Sequence, residues 1–268
     1  MNKSAILLGS KPGSVVALLL LLQRGWDVKA VVSSSHQANW LPEPSLYKVA
    51  KSLGIQTVET EDDLSSYSVD LVISYMFRRR VQKKTLLMGR YPINFHPGPL
   101  PGFGGWAFYN VAILENSPDY GCTCHIMDSD FDTGPLVKVR KFSINPRHET
   151  AYSLERKTQI EMTLLFQEIL TMYEVDEELA SENQHPEKMR YLSAQEFRRL
   201  KEVSVDASTE EIDRISRAFW YPPYDLAFMK TPSGAIIEIV PDLAKKELAP
   251  NLHESDLTNL MTLLNLKL

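Results

Sequence analysis

The chain has 268 residues, enough for one large domain or one medium and one small domain. Hydrophobic residues make up 44% and charged residues 24%, as in a soluble globular protein with a sizeable core. A formal net charge of −5 disfavours a broad polyanion-binding surface, and two cysteines are too few for a disulfide framework, which fits a reducing compartment.

The N-terminus resembles a signal peptide only superficially. "SKPGS" interrupts the apolar run, and Gln23, Arg24 and Gly25 offer no small-residue cleavage pattern. No apolar run approaches the ~18 residues that span a bilayer. A cytoplasmic protein without membrane contact is expected.

In chain order, "SAILLG" (4–9) reads as a strand and "SVVALLLLLQRG" (14–25) as a helix closed by Gly25. "DVKAVVS" (27–33) is a second strand, and "PSLYKVAKSLG" (44–54) a helix again closed by glycine. "IQTVE" (55–59) and "VDLVISYMF" (69–77) are the third and fourth strands. Nearly continuous apolar strands alternating with helices predict a parallel sheet covered on both faces. The first loop, "GSKPGS", lacks a G-x-G-x-x-G dinucleotide fingerprint.

"PINFH" (92–96) is a fifth strand, followed by a helix over 106–116 and strands over 120–128 and 134–144. Cys122 and Cys124 alternate on the first of these and read as small buried apolar residues. A long amphipathic helix over 149–174 closes the first unit. Beyond residue 175 comes a polar, acidic connector. "SAQE" (193–196) and "STEE" (208–211) resemble capping boxes, two strands flank "TPSG", and an apolar helix over 254–266 ends the chain. The expected fold is α/β, a Rossmann-like, mostly parallel sheet flanked by helices, with a smaller C-terminal α+β region. The expected units are 1–178 and 190–268.

The stretch "YPINFHPGPLPGFGGW" (91–106) puts Asn94 and His96 on one face of the fifth strand, just before a loop too rich in Pro and Gly to be regular. His96 can exchange a proton near neutral pH. Asn94 donates without ionising. Asp132, in the turn "DSDFDTGP", is suited to orient the imidazole. These parts suit acyl transfer, in which a nucleophile loses a proton and a donor meets the developing oxyanion. No G-x-S-x-G elbow or activated cysteine supplies a protein nucleophile, so direct transfer between two bound substrates is favoured.

"INFHPGPLPGFGGW" followed by "YGCTCHIMDSDFDTGPLV" resembles the formyltransferases that use 10-formyltetrahydrofolate. Their pattern, N-x-H-P-x-x-L-P then G-x-T-x-H then D-x-G, falls on Asn94, His96, Pro97, Leu100, Pro101, Gly121, Thr123, His125, Asp132 and Gly134. The resemblance covers roughly residues 1–175. It implies that Asn94, His96 and Asp132 are catalytic, with the proton acceptor open between His96 and Asp132. It implies a 10-formyltetrahydrofolate site on Tyr75–Arg78 and Asp128–Asp132, with Tyr75, Met76, Phe77, Asp128 and Asp130 its contacts. His125 is a supporting or structural residue. Two positions depart from the pattern: Gly98 stands where serine is common, and Gly104 where a basic residue is common.

The family's acceptors differ. Residues 190–268 carry 10 Lys/Arg against 12 Asp/Glu, which disfavours a tRNA acceptor stem, whose phosphates dominate affinity. "RAFWYPPYD" (217–225) resembles the accessory region of the sugar-modifying members, with Trp220, Tyr221 and Tyr224 suited to stack on a nucleobase. "RRRVQKK" (78–84) reads as the start of a helix whose cations await an anion, a pyrophosphate or a folate glutamate tail. Arg78 and Lys11 are the candidate phosphate contacts. The expected reaction formylates a nucleotide-linked amino deoxysugar, dTDP-linked, for surface polysaccharide. The alternatives are a methionyl-tRNA formyltransferase-like enzyme, a metal-dependent hydrolase using His96, His125 and Asp132, and a non-catalytic folate- or nucleotide-binding module. No metal and no nucleic acid are expected, and the last helix is apolar enough to pack in a homodimer.

Overall fold

In the computed structural model, residues 3–36, 44–185 and 192–244 are described. The expected final helix, 254–266, lies outside them. Seven strands form the main sheet: β1 (Ser4–Gly9), β2 (Asp27–Val32), β3 (Thr57–Val58), β4 (Val69–Tyr75), β5 (Gly89–His96), β6 (Asp119–Ile126) and β7 (Leu136–Ser143). Their order is β3-β2-β1-β4-β5-β6-β7. The first five pair in parallel, and β6 and β7 are antiparallel. The sheet is therefore mostly parallel, and its order reverses direction about β1, so the loops after β1 and β4 part to opposite sides of a crevice.

The helices follow from the apolar pattern. Every residue of α1 (Gly13–Gln23) from Gly13 to Leu21 is buried, because the helix packs on the sheet and is flanked on the same face by α5 (Ala151–Asp176). Gly25 and Gly54 follow α1 and α2 (Leu46–Ser52) with φ of 77° and 72°, the left-handed conformation that closes a helix without Cβ strain. Thr150 and Ser153 cap α5 reciprocally. Cys122 and Cys124 are free thiols packed in the core beneath α5.

Two expectations are corrected. The third strand is only two residues long, because it pairs on one side alone, at the sheet edge. The basic run 78–84 does not open a helix. Arg78–Arg80 lie in irregular chain, and the helix there, α3 (Lys83–Leu86), has four residues. Instead of stacking cations on a helix end, the run spreads them. Arg79 donates to the Glu59 carbonyl, Arg80 pairs with Asp130 at 3.3 Å, and Lys84 with Asp62 at 2.8 Å.

After the connector come α6 (Ala194–Leu200), β8 (Glu202–Val203), α7 (Thr209–Ala218), β9 (Ala227–Lys230) and β10 (Ile236–Ile239). Ser193 and Glu196 form the full capping box, whereas Ser208 supplies the N-cap bond to Glu211. The strands β9 and β10 pair antiparallel around the "TPSG" turn, and β8 adds to β9 in parallel. Sequence patterning gave no sign of β8, which is too short to show a period. Phe219, Val203 and Ala227 share one apolar cluster with Ala112 and Ile113 of α4 (Phe108–Leu114) and with Leu154 of α5. The two regions thus meet through a continuous core.

Candidate active site

The parallel ladder carries Asn94 and His96 to the C-terminal end of β5. Asn94 pairs across to Ser74 of β4 and His125 of β6, and His96 to Thr123 of β6. Asp132 arrives from the turn between β6 and β7, where its backbone is left-handed with φ 59°, a conformation that aspartate tolerates better than most residues. The connector fixes that turn. Gln184 Nε2 donates to the Asp132 carbonyl at 2.6 Å and to the Gly134 carbonyl at 2.7 Å, while Leu136 and Glu182 exchange backbone hydrogen bonds.

The three side chains converge. His96 Nδ1 is 3.5 Å from Asp132 Oδ1, and His125 Nε2 is 3.6 Å from the same oxygen. Asn94 Nδ2 is 3.0 Å from His125 Nε2. The carbonyl partners assign the tautomers. His125 Nδ1 faces the Ile126 carbonyl at 2.8 Å and must donate to it, which leaves Nε2 as an acceptor for one hydrogen of the Asn94 amide. His96 Nε2 faces the Phe103 carbonyl at 2.7 Å and donates there, which leaves Nδ1 with a lone pair towards Asp132. The second amide hydrogen of Asn94 is not used by His125.

Burial lowers the His96 pKa below its ordinary value, and the nearby Asp132 only partly offsets this. Burial also acts to raise Asp132. The neighbouring His96 and His125 rings and the Gly105 N–H at 3.0 Å outweigh it and pull Asp132 down to about 2. At neutral pH the pair is a neutral imidazole facing a carboxylate. Such a pair can accept a proton during the reaction, because the imidazolium would form against a ready counter-ion.

Gly98 explains one departure from the family pattern. A Cβ on it would lie 2.6 Å from the Phe103 carbonyl oxygen and 2.8 Å from His96 Nε2. A serine there would push apart the hydrogen bond that fixes His96, so glycine permits the close loop.

A cavity of about 800 Å³ opens beside these groups. Asn94, His96 and Asp132 line it, as do Met76, Phe77, Asp128 and Asp130 from the expected folate loops, and Arg78, Lys11, Tyr221 and Tyr224 from the expected acceptor contacts. Two expected side chains do not. Tyr75 is buried in the core against Phe95 and Phe166, because strand alternation sends it to the face opposite Ser74. Trp220 packs against Tyr152 and Ala244 under the C-terminal arm and does not reach the cavity. Lys11 is committed within the protein: its ammonium lies 3.1 Å from Glu155 Oε1 and 3.1 Å from the Tyr221 hydroxyl. No local pattern pointed to Glu155, Gln184 or the Phe103 carbonyl, since each acts through a contact distant in the chain or through backbone. Among the described residues, no group of three or more His, Cys, Asp or Glu is disposed to hold a metal ion.

A mostly parallel sheet that brings an asparagine, a histidine and an aspartate together at one strand end has the parts that group transfer needs. The profile of the formyl transferase family matches residues 16–169, more than half of the chain, and the chain belongs to that family. GDP-perosamine N-formyltransferase of Brucella melitensis biotype 1 is 27% identical over 168 residues, covering 62% of this chain and 62% of that protein. The chain thus spans less than two thirds of that relative's length. Methionyl-tRNA formyltransferase of Halothermothrix orenii is 25% identical over 227 residues, covering 79% of this chain and 71% of that protein. The N-formyltransferase of Helicobacter canadensis, solved in complex with folinic acid and dTDP-3-aminofucose, shares the fold with a TM-score of 0.71 at 23% identity, covering 87% of this chain and 85% of that one.

Proposed function

We infer that the chain transfers a formyl group from 10-formyltetrahydrofolate to the amine of a nucleotide-linked amino deoxysugar, with a dTDP-linked hexose the leading candidate, in the making of surface polysaccharide. The observation that carries this reading is the meeting of Asn94, His96 and Asp132 at a cavity that Tyr221 and Tyr224 also line. Residues 1–178 then act as the catalytic unit and 190–268 as the accessory unit.

The cavity suits a folate on chemical grounds. Its apolar walls, Met76, Phe77 and Met127, stand beside polar groups that suit a ring edge. When bound, the folate supplies an activated formyl group. Asn94 offers its second amide hydrogen where negative charge develops on the formyl oxygen. His96 Nδ1 takes the proton released by the attacking amine, and Asp132 stabilises the resulting imidazolium. Arg78 serves an anionic part of a substrate. Tyr224, half exposed at the rim and 5.5 Å from Tyr221, offers a stacking face for a base.

Two relatives support different acceptors, a GDP-linked amino sugar and a methionyl-tRNA. The acidic C-terminal arm favours the first, because a tRNA acceptor stem needs a cationic surface. No helix of the described residues is long and apolar enough to cross a membrane, and a cytoplasmic site of action fits a folate co-substrate. A screen of amino-sugar nucleotides with 10-formyltetrahydrofolate, read by mass spectrometry, should show the gain of one carbonyl on at least one sugar. Formylation of charged initiator tRNA with none of the sugars modified would replace the sugar reading with the tRNA one.

A further inference from the structure

One short loop holds both His96 and Asp132, and it does so through backbone. The Phe103 carbonyl accepts from His96 Nε2 at 2.7 Å, and the Gly105 N–H donates to Asp132 Oδ2 at 3.0 Å. Both bonds depend on the loop keeping its shape, and its own sequence does little to stiffen it. Gly105 lies in the left-handed region with φ 75°, and Ala107, which precedes α4, lies there too with φ 63°. An alanine in that region is strained by its Cβ, and such strain persists only where surrounding contacts hold it.

Ring contacts tie the loop down on either side of those bonds. Upstream, Phe103 packs against Tyr120 with ring centroids 5.5 Å apart, and its N–H donates to the Pro99 carbonyl at 3.2 Å. Downstream, between the two left-handed residues, Trp106 packs against Phe197 of α6 with centroids 4.6 Å apart. Phe197 is itself backed by the core of the accessory region. Its ring lies 5.1 Å from that of Phe219, which is 2% exposed, and the Lys201 ammonium sits 5.3 Å from it. Lys201 is fixed in turn by a bond to the Asp225 carbonyl at 2.9 Å. The Trp106 indole is 40% exposed, so it is no part of the deep core, and it lines the same cavity as His96. A large ring on a glycine-rich loop, met by a ring from a distant part of the chain, acts as a tether.

We propose that Trp106 is a positioning residue for formyl transfer: its contact with Phe197 ties the 103–107 loop to the accessory region, so that this region sets the geometry of His96 and Asp132 as well as offering a surface to the acceptor. This rests on the reading above that His96 and Asp132 handle the proton.

The test measures kcat and both KM values for Trp106→Ala, Phe197→Ala, the double variant and Trp106→Phe, on an acceptor that the wild type formylates, with His96→Ala as the reference. Trp106→Ala should lower kcat by roughly 10- to 100-fold, the scale of a small misplacement of reacting groups, with both KM values little changed. Phe197→Ala should lower kcat by a similar factor. The double variant should be no worse than the poorer single, because both substitutions break one contact. Trp106→Phe keeps a ring against Phe197 and should recover most of the rate. Should Phe197→Ala fail to fold, Phe197→Leu removes the ring pair at a smaller loss of volume and should show the same coupling. An unchanged kcat in Trp106→Ala, a loss confined to the KM for the acceptor, or losses that multiply in the double variant would overturn the tether while leaving formyl transfer standing. Full turnover by His96→Ala would overturn the proton reading and the role of the tether with it. So would a wild type that formylates neither an amino-sugar nucleotide nor charged tRNA.

Discussion

The main sheet and the C-terminal arm are built to different standards. Ala5 to Leu8 of β1 have no exposed surface, whereas Ile236 and Ile237 of β10 are 64% and 53% exposed. The sheet is held by a deep apolar core on both faces. The arm is held by a shared apolar patch and a few polar links to backbone. Arg217, buried on α7, donates to the carbonyls of Pro146 and Glu149, Asn110 to that of Ala218, and the Tyr152 N–H to that of Trp220. The difference separates two tasks. Groups proposed to do chemistry sit on strand ends of the rigid layer, where register fixes them. Groups proposed to recognise the acceptor come partly from the thinner layer folded back across the cavity.

The hardest test of that division is His96→Ala, expected to lower the single-turnover rate by ~100-fold or more while leaving acceptor binding nearly intact. A loss confined to acceptor KM would place His96 with the recognition groups instead. Next comes Gly98→Ala, whose new methyl group would crowd the Phe103 carbonyl and His96 Nε2. Turnover should fall by roughly 10- to 100-fold through misplacement of an intact imidazole, and the clash with a backbone carbonyl should lower the melting temperature as well. Arg217→Met probes the other layer. Two carbonyls lose their donor, at about 1–3 kcal/mol each, so chemical denaturation should show lower stability. The KM for the acceptor should rise more than the KM for the folate, and an equal rise in both would dissolve the contrast between layers.

The smallest expected effect is a shift on the pH axis. Burial lowers the His96 pKa, so the basic form persists below the ordinary histidine value of 6.5. The acid limb of kcat/KM should therefore fall below pH 6.5. The same shift acts on stability. The unfolded chain binds a proton at His96 before the folded one does, so this contribution to stability is lost as pH drops through 6.5. An acid limb above 6.5 would mean that Asp132 outweighs burial.

Much of this was legible in the chain itself. The apolar runs of β1, β2 and β4, the glycines closing α1 and α2, and the reach of α5 follow from local period and turn chemistry. So does the pairing of Asn94 with His96, because residues two apart on a strand share a face. Misreadings fell where local pattern has no vote. Tyr75 adjoins cavity residues in sequence yet points into the core, since strand alternation gives neighbours opposite faces. The basic run at 78–84 has helix-forming residues but bonds to Glu59, Asp62 and Asp130 instead. Trp220 looked like its tyrosine neighbours until packing against Tyr152 claimed it.

What the sequence determined by itself is the layered α/β scaffold and the reacting pair on β5, because both depend on short-range repeats and on one motif. Only the tertiary structure decided which His96 nitrogen stays open, how Gln184 holds the Asp132 turn, and that Glu155 meets Lys11. Those contacts join residues from seven to about 144 positions apart, some through backbone carbonyls that any residue carries, so no side-chain pattern along the chain could record them.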